Sequence, residues 1–106
     1  MGNGAVIWST KSEKLLKKHY NFIAKDSKIY ALRFISSLIE YTEEYFNRSI
    51  IVNGRLVPEF KGTSLSYLRE IIYKGYRIIY SSSADNGQIY IVMVISGRMN
   101  IENHLE

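Results

Sequence analysis

The sequence has no cysteine, a single proline, a single tryptophan and only two histidines in 106 residues. Without cysteine it forms no disulfide, thiolate zinc site or iron–sulfur cluster, and it has no thiol nucleophile. His19 and His104 stand too far apart in the chain to build a multi-histidine metal site without carboxylates, so no metal or other cofactor is expected. No apolar run approaches the ~18–20 residues of a membrane span. The opening Met1-Gly2-Asn3-Gly4-Ala5-Val6-Ile7-Trp8 lacks the charged head and long apolar centre of a secretory signal, so a cytoplasmic location is expected.

The residues present describe one domain over positions 1–106, with 46% hydrophobic and 23% charged side chains. Fourteen lysines and arginines against ten acidic residues leave a net charge of +4. That balance permits an anionic partner such as nucleic acid or an acidic protein segment, without requiring one. The excess is uneven: residues 1–50 carry eight basic and five acidic side chains, residues 51–106 six and five. Much of it therefore solvates helices.

Ala5 to Trp8 reads as a short strand. Thr10-Lys11-Ser12-Glu13 fits a capping box, in which the threonine hydroxyl accepts an amide and the glutamate reaches back to the cap. A helix is expected from Lys11 to Ala24, with Leu16, Tyr20 and Ile23 inward and Lys14, Lys17 and Lys18 outward. Asp26-Ser27 breaks it and can cap a second helix over Ser27 to Phe46. In that helix Arg33, Ser36, Ser37, Glu40, Glu43, Glu44 and Asn47 fall in one polar arc. The apolar set running from Ile29 and Tyr30 to Tyr45 and Phe46 fills most of the rest, about twice the ~100° stripe of a helix lying on one surface. Cover from two sides is expected, by the first helix and by a sheet.

From Ser49 the hydrophobic period becomes two. Asn53-Gly54 is a turn signal between Ile50-Ile51-Val52 and Arg55-Leu56-Val57, and Pro58 forbids a central strand where it stands. Strands are expected over Leu68–Tyr73, Tyr76–Ser81 and Gln88–Ile95, joined at Lys74-Gly75 and at Asp85-Asn86-Gly87. The fold class is α+β: an N-terminal strand, then a helical hairpin packed on one face of an antiparallel sheet whose other face is open. A two-residue turn at Lys74-Gly75 pairs Tyr73 with Tyr76 and Ile72 with Arg77. Ile71, Tyr73, Tyr76, Ile78 and Tyr80 then face the core, while Leu68, Glu70, Ile72, Arg77 and Ile79 share the other face. There Arg77 lies diagonal to Glu70, and a guanidinium flanked by isoleucines needs an anion. Most of the nine tyrosines read as packing residues.

Gly54-Arg55-Leu56-Val57-Pro58-Glu59-Phe60, Leu68-Arg69-Glu70-Ile71-Ile72-Tyr73, Tyr76-Arg77-Ile78-Ile79-Tyr80 and Val94-Ile95-Ser96-Gly97-Arg98, in that order, resemble the RelE/ParE family of bacterial toxins. The resemblance covers nearly the whole chain. It implies the toxin half of a type II toxin–antitoxin pair, held by a cognate antitoxin protein in a hetero-oligomer. Two activities are known in the family: metal-free mRNA cleavage on the ribosome, and poisoning of DNA gyrase. For cleavage, the resemblance implies Glu59 as the base and Arg77 and Arg98 as cations on the phosphate. Lys61, Glu70 and Lys74 are its candidates beside the substrate. The sequence departs from the cleaving pattern at Ser96-Gly97-Arg98, where many relatives carry His-Gly-Arg, and it lacks their histidine–tyrosine ending. His104 is the one histidine near that end. Cleavage is the expectation that gives Glu59 and Arg77 a task. Gyrase binding needs no acid–base set, and a degenerate toxin that binds only antitoxin is a third reading.

Overall fold

The computed structural model describes residues 6–48, 54–83 and 87–105. Strand β1 (Val6–Trp8) leads into helices α1 (Thr10–Ala24) and α2 (Lys28–Arg48). Strands β2 (Arg55–Leu56), β3 (Arg69–Tyr73), β4 (Tyr76–Ser82) and β5 (Ile89–Ser96) follow. Short 3-10 turns lie at Pro58–Phe60 and Ile101–His104. The strand expected at Ile50–Val52, Asn53 of its turn and Asp85-Asn86 of the later turn fall outside the described residues.

The strands form one sheet in the order β1-β5-β4-β3-β2. The expected meander is present from β2 to β5, but β1 lies parallel to β5, which makes the sheet mixed rather than antiparallel. Helices α1 and α2 carry the chain from β1 to β2 at the opposite edge, and the meander then returns β5 beside β1 in the parallel sense, a placement that strand periodicity alone does not reveal. The β3–β4 hairpin has the expected register, with Tyr73 opposite Tyr76 and Ile72 opposite Arg77. Lys74 and Gly75 both have positive φ, 46° and 84°, as a tight two-residue hairpin turn requires.

The helix starts are set by side-chain caps. Ser27 accepts from the Tyr30 amide at 3.1 Å, as expected for α2. For α1 the cap is Ser9 and not Thr10: its hydroxyl accepts from the Ser12 amide at 3.0 Å and donates to the Val92 carbonyl at 3.0 Å. That bond to β5 favours serine one position earlier, because it fastens the helix start to the sheet as well as capping it.

Helices α1 and α2 cover one sheet face. Leu16, Phe34, Leu38 and Phe46 pack there on Ile71, Ile78, Tyr80, Ile91 and Val94. The cover of α2 is incomplete, contrary to expectation, since Ile29, Tyr30 and Leu32 in its first turns stay exposed.

The other face is not open. Val57, Phe60, Leu68 and Ile101 pack on Ile79, Met93 and Ile95 in a second apolar cluster, joined by Leu15 of α1. The segment from Val57 to Leu68 and the C-terminal turn therefore form a thin second layer. The first contributes Val57, Phe60 and Leu68 and the second Ile101, each 2% exposed. Anchors set mostly outside regular helices and strands leave no period to read. Among the described residues no helix is long and apolar enough to cross a membrane.

Candidate functional site

The second layer converges on Arg77. Strand β4 aims its side chain to the face opposite the helices, between Ile72 on β3 and Ile95 on β5. Its Nε donates to Glu70 Oε1 at 2.7 Å. Its two terminal nitrogens donate to both oxygens of Glu59, at 2.8 and 2.6 Å. Pro58 opens the 3-10 turn that carries Glu59, and its fixed φ suits that place. Buried Phe60 follows and holds the turn against the sheet.

Glu70, on β3, is 1% exposed. Its second oxygen accepts from Arg55 Nε at 2.6 Å across the β2–β3 pair. Arg69 Nη1 meanwhile donates to the Gly54 carbonyl at 2.7 Å. Arg55 and Arg77 thus face Glu59 and Glu70, and the formal charges cancel.

The electrostatics follow from these bonds. Hydrogen bonding from Arg77 lowers the Glu59 carboxyl from 4.5 to about 2. The Arg77 guanidinium is driven upward, first by Glu59, against the cost of burial. A carboxylate titrating near 2 is a weak base, whereas an effective general base titrates near the working pH. A guanidinium with a fork-shaped carboxylate across its outer edge presents little free positive charge to a phosphate.

The structure brings Glu59, Glu70 and Arg77 together. The other candidates stand elsewhere. Arg98 is exposed and lines a separate cleft with Lys18, His19, Phe22, Tyr76, Ser96 and Met99. Lys74 sits in the hairpin turn, its ammonium 5.5 Å from the centre of the Tyr73 ring. Lys61 is exposed just after the 3-10 turn. His104 lies on the C-terminal turn, where partial burial, then Lys18 and Lys11, lower its pKa. That shift disfavours the imidazolium, the form that serves as a general acid.

Sequence reasoning missed the cleft that holds Arg98. Its lining comes from α1, β4, β5 and the segment after β5, so no local pattern in the sequence marks it. His19 in that cleft is 6% exposed, with Nε2 2.7 Å from the Val94 carbonyl, and burial lowers its pKa.

Residues 6–101 match the family model described as the ParE toxin of the type II toxin–antitoxin system parDE. The chain belongs to the ParE toxin family. Two solved structures share the toxin's fold. The chromosomal ParDE system from P. aeruginosa has a TM-score of 0.69 at 12% identity, over 88% of this chain and 95% of that one. The toxin–antitoxin complex RelBE2 from Mycobacterium tuberculosis has a TM-score of 0.64 at 15% identity, over 88% of this chain and 96% of that one. At such identities the likeness is one of fold. No curated protein matches the sequence.

Proposed function

We propose that this ParE-family toxin arrests growth by binding its target in the cytoplasm, as a poison of DNA gyrase, and that it cleaves no RNA itself. The observation that carries this reading is the closed Glu59–Arg77–Glu70 cluster. Metal-free RNA cleavage needs a base to deprotonate a ribose 2′-hydroxyl, a cation for the developing phosphorane charge and an acid for the leaving oxygen. Here the candidate base titrates near 2, and Arg77, the candidate cation beside it, is paired with two carboxylates. The histidine that the resemblance implies as the acid is replaced by Ser96, which lines the separate cleft with Arg98 and not the Arg77 cluster. A surface used for binding needs none of the three. By analogy with the two toxin–antitoxin systems whose fold it shares, the toxin is held by a cognate antitoxin in a hetero-oligomer.

The second reading, ribosome-dependent mRNA cleavage, is favoured by one observation. The residues expected as base and cation do meet, at 2.6 and 2.8 Å. Supercoiling by purified gyrase and primer extension on message from cell-free translation separate the two. Inhibited supercoiling with intact message is expected. Discrete breaks in ribosome-bound message with unaffected gyrase would overturn the binding reading.

A further inference from the structure

The cleft near the end of α1 has a composition unlike the cluster around Arg77. Its volume is about 220 Å³, and its walls are the Phe22 and Tyr76 rings with Met99. Lys18 and Arg98 stand at it as exposed cations, and neither makes an ion pair among the described residues. Lys25, which does not line the cleft, has its Nζ 5.8 Å from the centre of the Phe22 ring. No acidic residue lines the cleft.

Its polar groups are specific. The Val94 carbonyl can only accept, so His19 Nε2 bears the ring proton and Nδ1 is left as an acceptor. Nδ1 has no hydrogen-bond partner among the described residues. The Tyr76 ring meets the His19 ring edge-on at 5.0 Å, which fixes both. A ligand matching these features has a flat apolar body, an N–H donor on that body and an anion close to it.

Clefts for drug-sized ligands run to roughly 300–1,000 Å³, so this one takes a single ring system and its anionic group rather than an oligomer. An aromatic side chain of a peptide supplies the ring, but it brings its carboxylate on a neighbouring residue. A nucleotide carries base, amino or imino donor and phosphate in one unit. Two cations without a carboxylate partner also match a phosphate better than one carboxylate.

We propose that this cleft binds a single nucleotide, its base against the Phe22 and Tyr76 rings and its phosphate between Lys18 and Arg98. The inference does not depend on the cellular target of the toxin. It also gives Arg98 a task away from Arg77.

The test is calorimetric titration of the purified full-length chain with ribonucleoside and deoxyribonucleoside 5′-monophosphates, inorganic phosphate and N-acetyltryptophan. Saturable binding of the monophosphates is expected, weakening as salt is raised. Phe22→Ala should weaken it about fivefold or more, from lost stacking. Lys18→Ala and Arg98→Ala should each weaken it about three- to tenfold. All three side chains are exposed, so unchanged thermal melting of the variants shows that they fold. Ribose and deoxyribose forms binding alike indicates a contact to base and phosphate; a preference for either adds the sugar to the site. Inorganic phosphate binding as tightly as the nucleotides overturns the proposal, as does equal binding of N-acetyltryptophan, or indifference of nucleotide binding to Phe22→Ala.

Discussion

Glu70 and Arg77 meet at 2.7 Å beneath the second layer, with 0% of the Glu70 side chain and 12% of the Arg77 side chain exposed. A charge so placed is tolerable only with its partner, since taking an ion out of water costs several kcal/mol before its counter-ion compensates. Glu70→Ala, which leaves the Arg77 and Arg55 guanidiniums short of a carboxylate, should cost about 3–5 kcal/mol in urea denaturation. Paired with Arg77→Met, the double variant should lose less than the sum of the single changes, by about 1 kcal/mol or more. Strict additivity would show that the two side chains do not act together.

Gly54 carries a second constraint on the same corner. Its amide donates to the buried Tyr80 hydroxyl at 2.8 Å. A Cβ there would come within 2.8 Å or less of Tyr80 and within 2.7 Å of the Glu70 carbonyl oxygen. Gly54→Ala should therefore destabilise by about 1–3 kcal/mol, as overpacking does. Tyr80→Phe removes the clashing oxygen but orphans the amide, at about 1–3 kcal/mol. Adding Tyr80→Phe to Gly54→Ala should then cost less than it does alone, and thermal melting of the four proteins measures that coupling.

The pH dependence follows from Glu59. Its carboxyl is depressed from 4.5 to about 2 by the hydrogen bond from Arg77. A group with a lowered folded pKa binds its proton less well folded than unfolded. Its stabilisation is whole above about 4.5 and is lost as the pH falls towards 2. The side chain is 40% exposed, so solvent screening holds the contribution to about 1 kcal/mol or less. Melting curves of wild type and Glu59→Gln should differ near neutral pH and converge as the pH falls through that window. A constant offset would show that the pair contributes nothing through ionisation.

Ile101 tests the second layer itself. It is 2% exposed among Leu15, Phe60 and Met93 of that cluster. Ile101→Ala should cost about 2–5 kcal/mol, the range for truncating a buried aliphatic side chain. A change below about 0.5 kcal/mol, the size typical of a surface site, would mean that the C-terminal turn merely rests on the sheet.

These residues also mark how far the sequence could be read. The β3–β4 register was legible because Lys74-Gly75 admits few turns and the alternation on both sides leaves one pairing. The helical hairpin was legible from period and breaks. The Glu70–Arg77 contact followed from the register, since diagonal neighbours on one face are a matter of counting. The contacts of Glu59 were not legible in that way, because a 3-10 turn places its side chain by tertiary packing of Phe60. Nor was the second layer, whose anchors Val57, Phe60 and Ile101 lie outside regular strands and long helices. The parallel placement of β1 depends on the path of the chain through α1 and α2, which carries no local signature. The cleft beside His19 was hidden for a related reason: its lining comes from a helix, two strands and the segment after β5.

The central claim is that Glu59 closes Arg77 and serves as no base. Glu59→Gln keeps a hydrogen-bonding side chain of the same shape but removes the basic carboxylate. The decisive measurement is growth arrest on induced expression of this variant, with primer extension on cellular message. The account predicts arrest as strong as wild type and message intact in both. Loss of arrest together with loss of message breaks present in wild type, by the roughly 10²–10⁴-fold that a general base supplies, would contradict it.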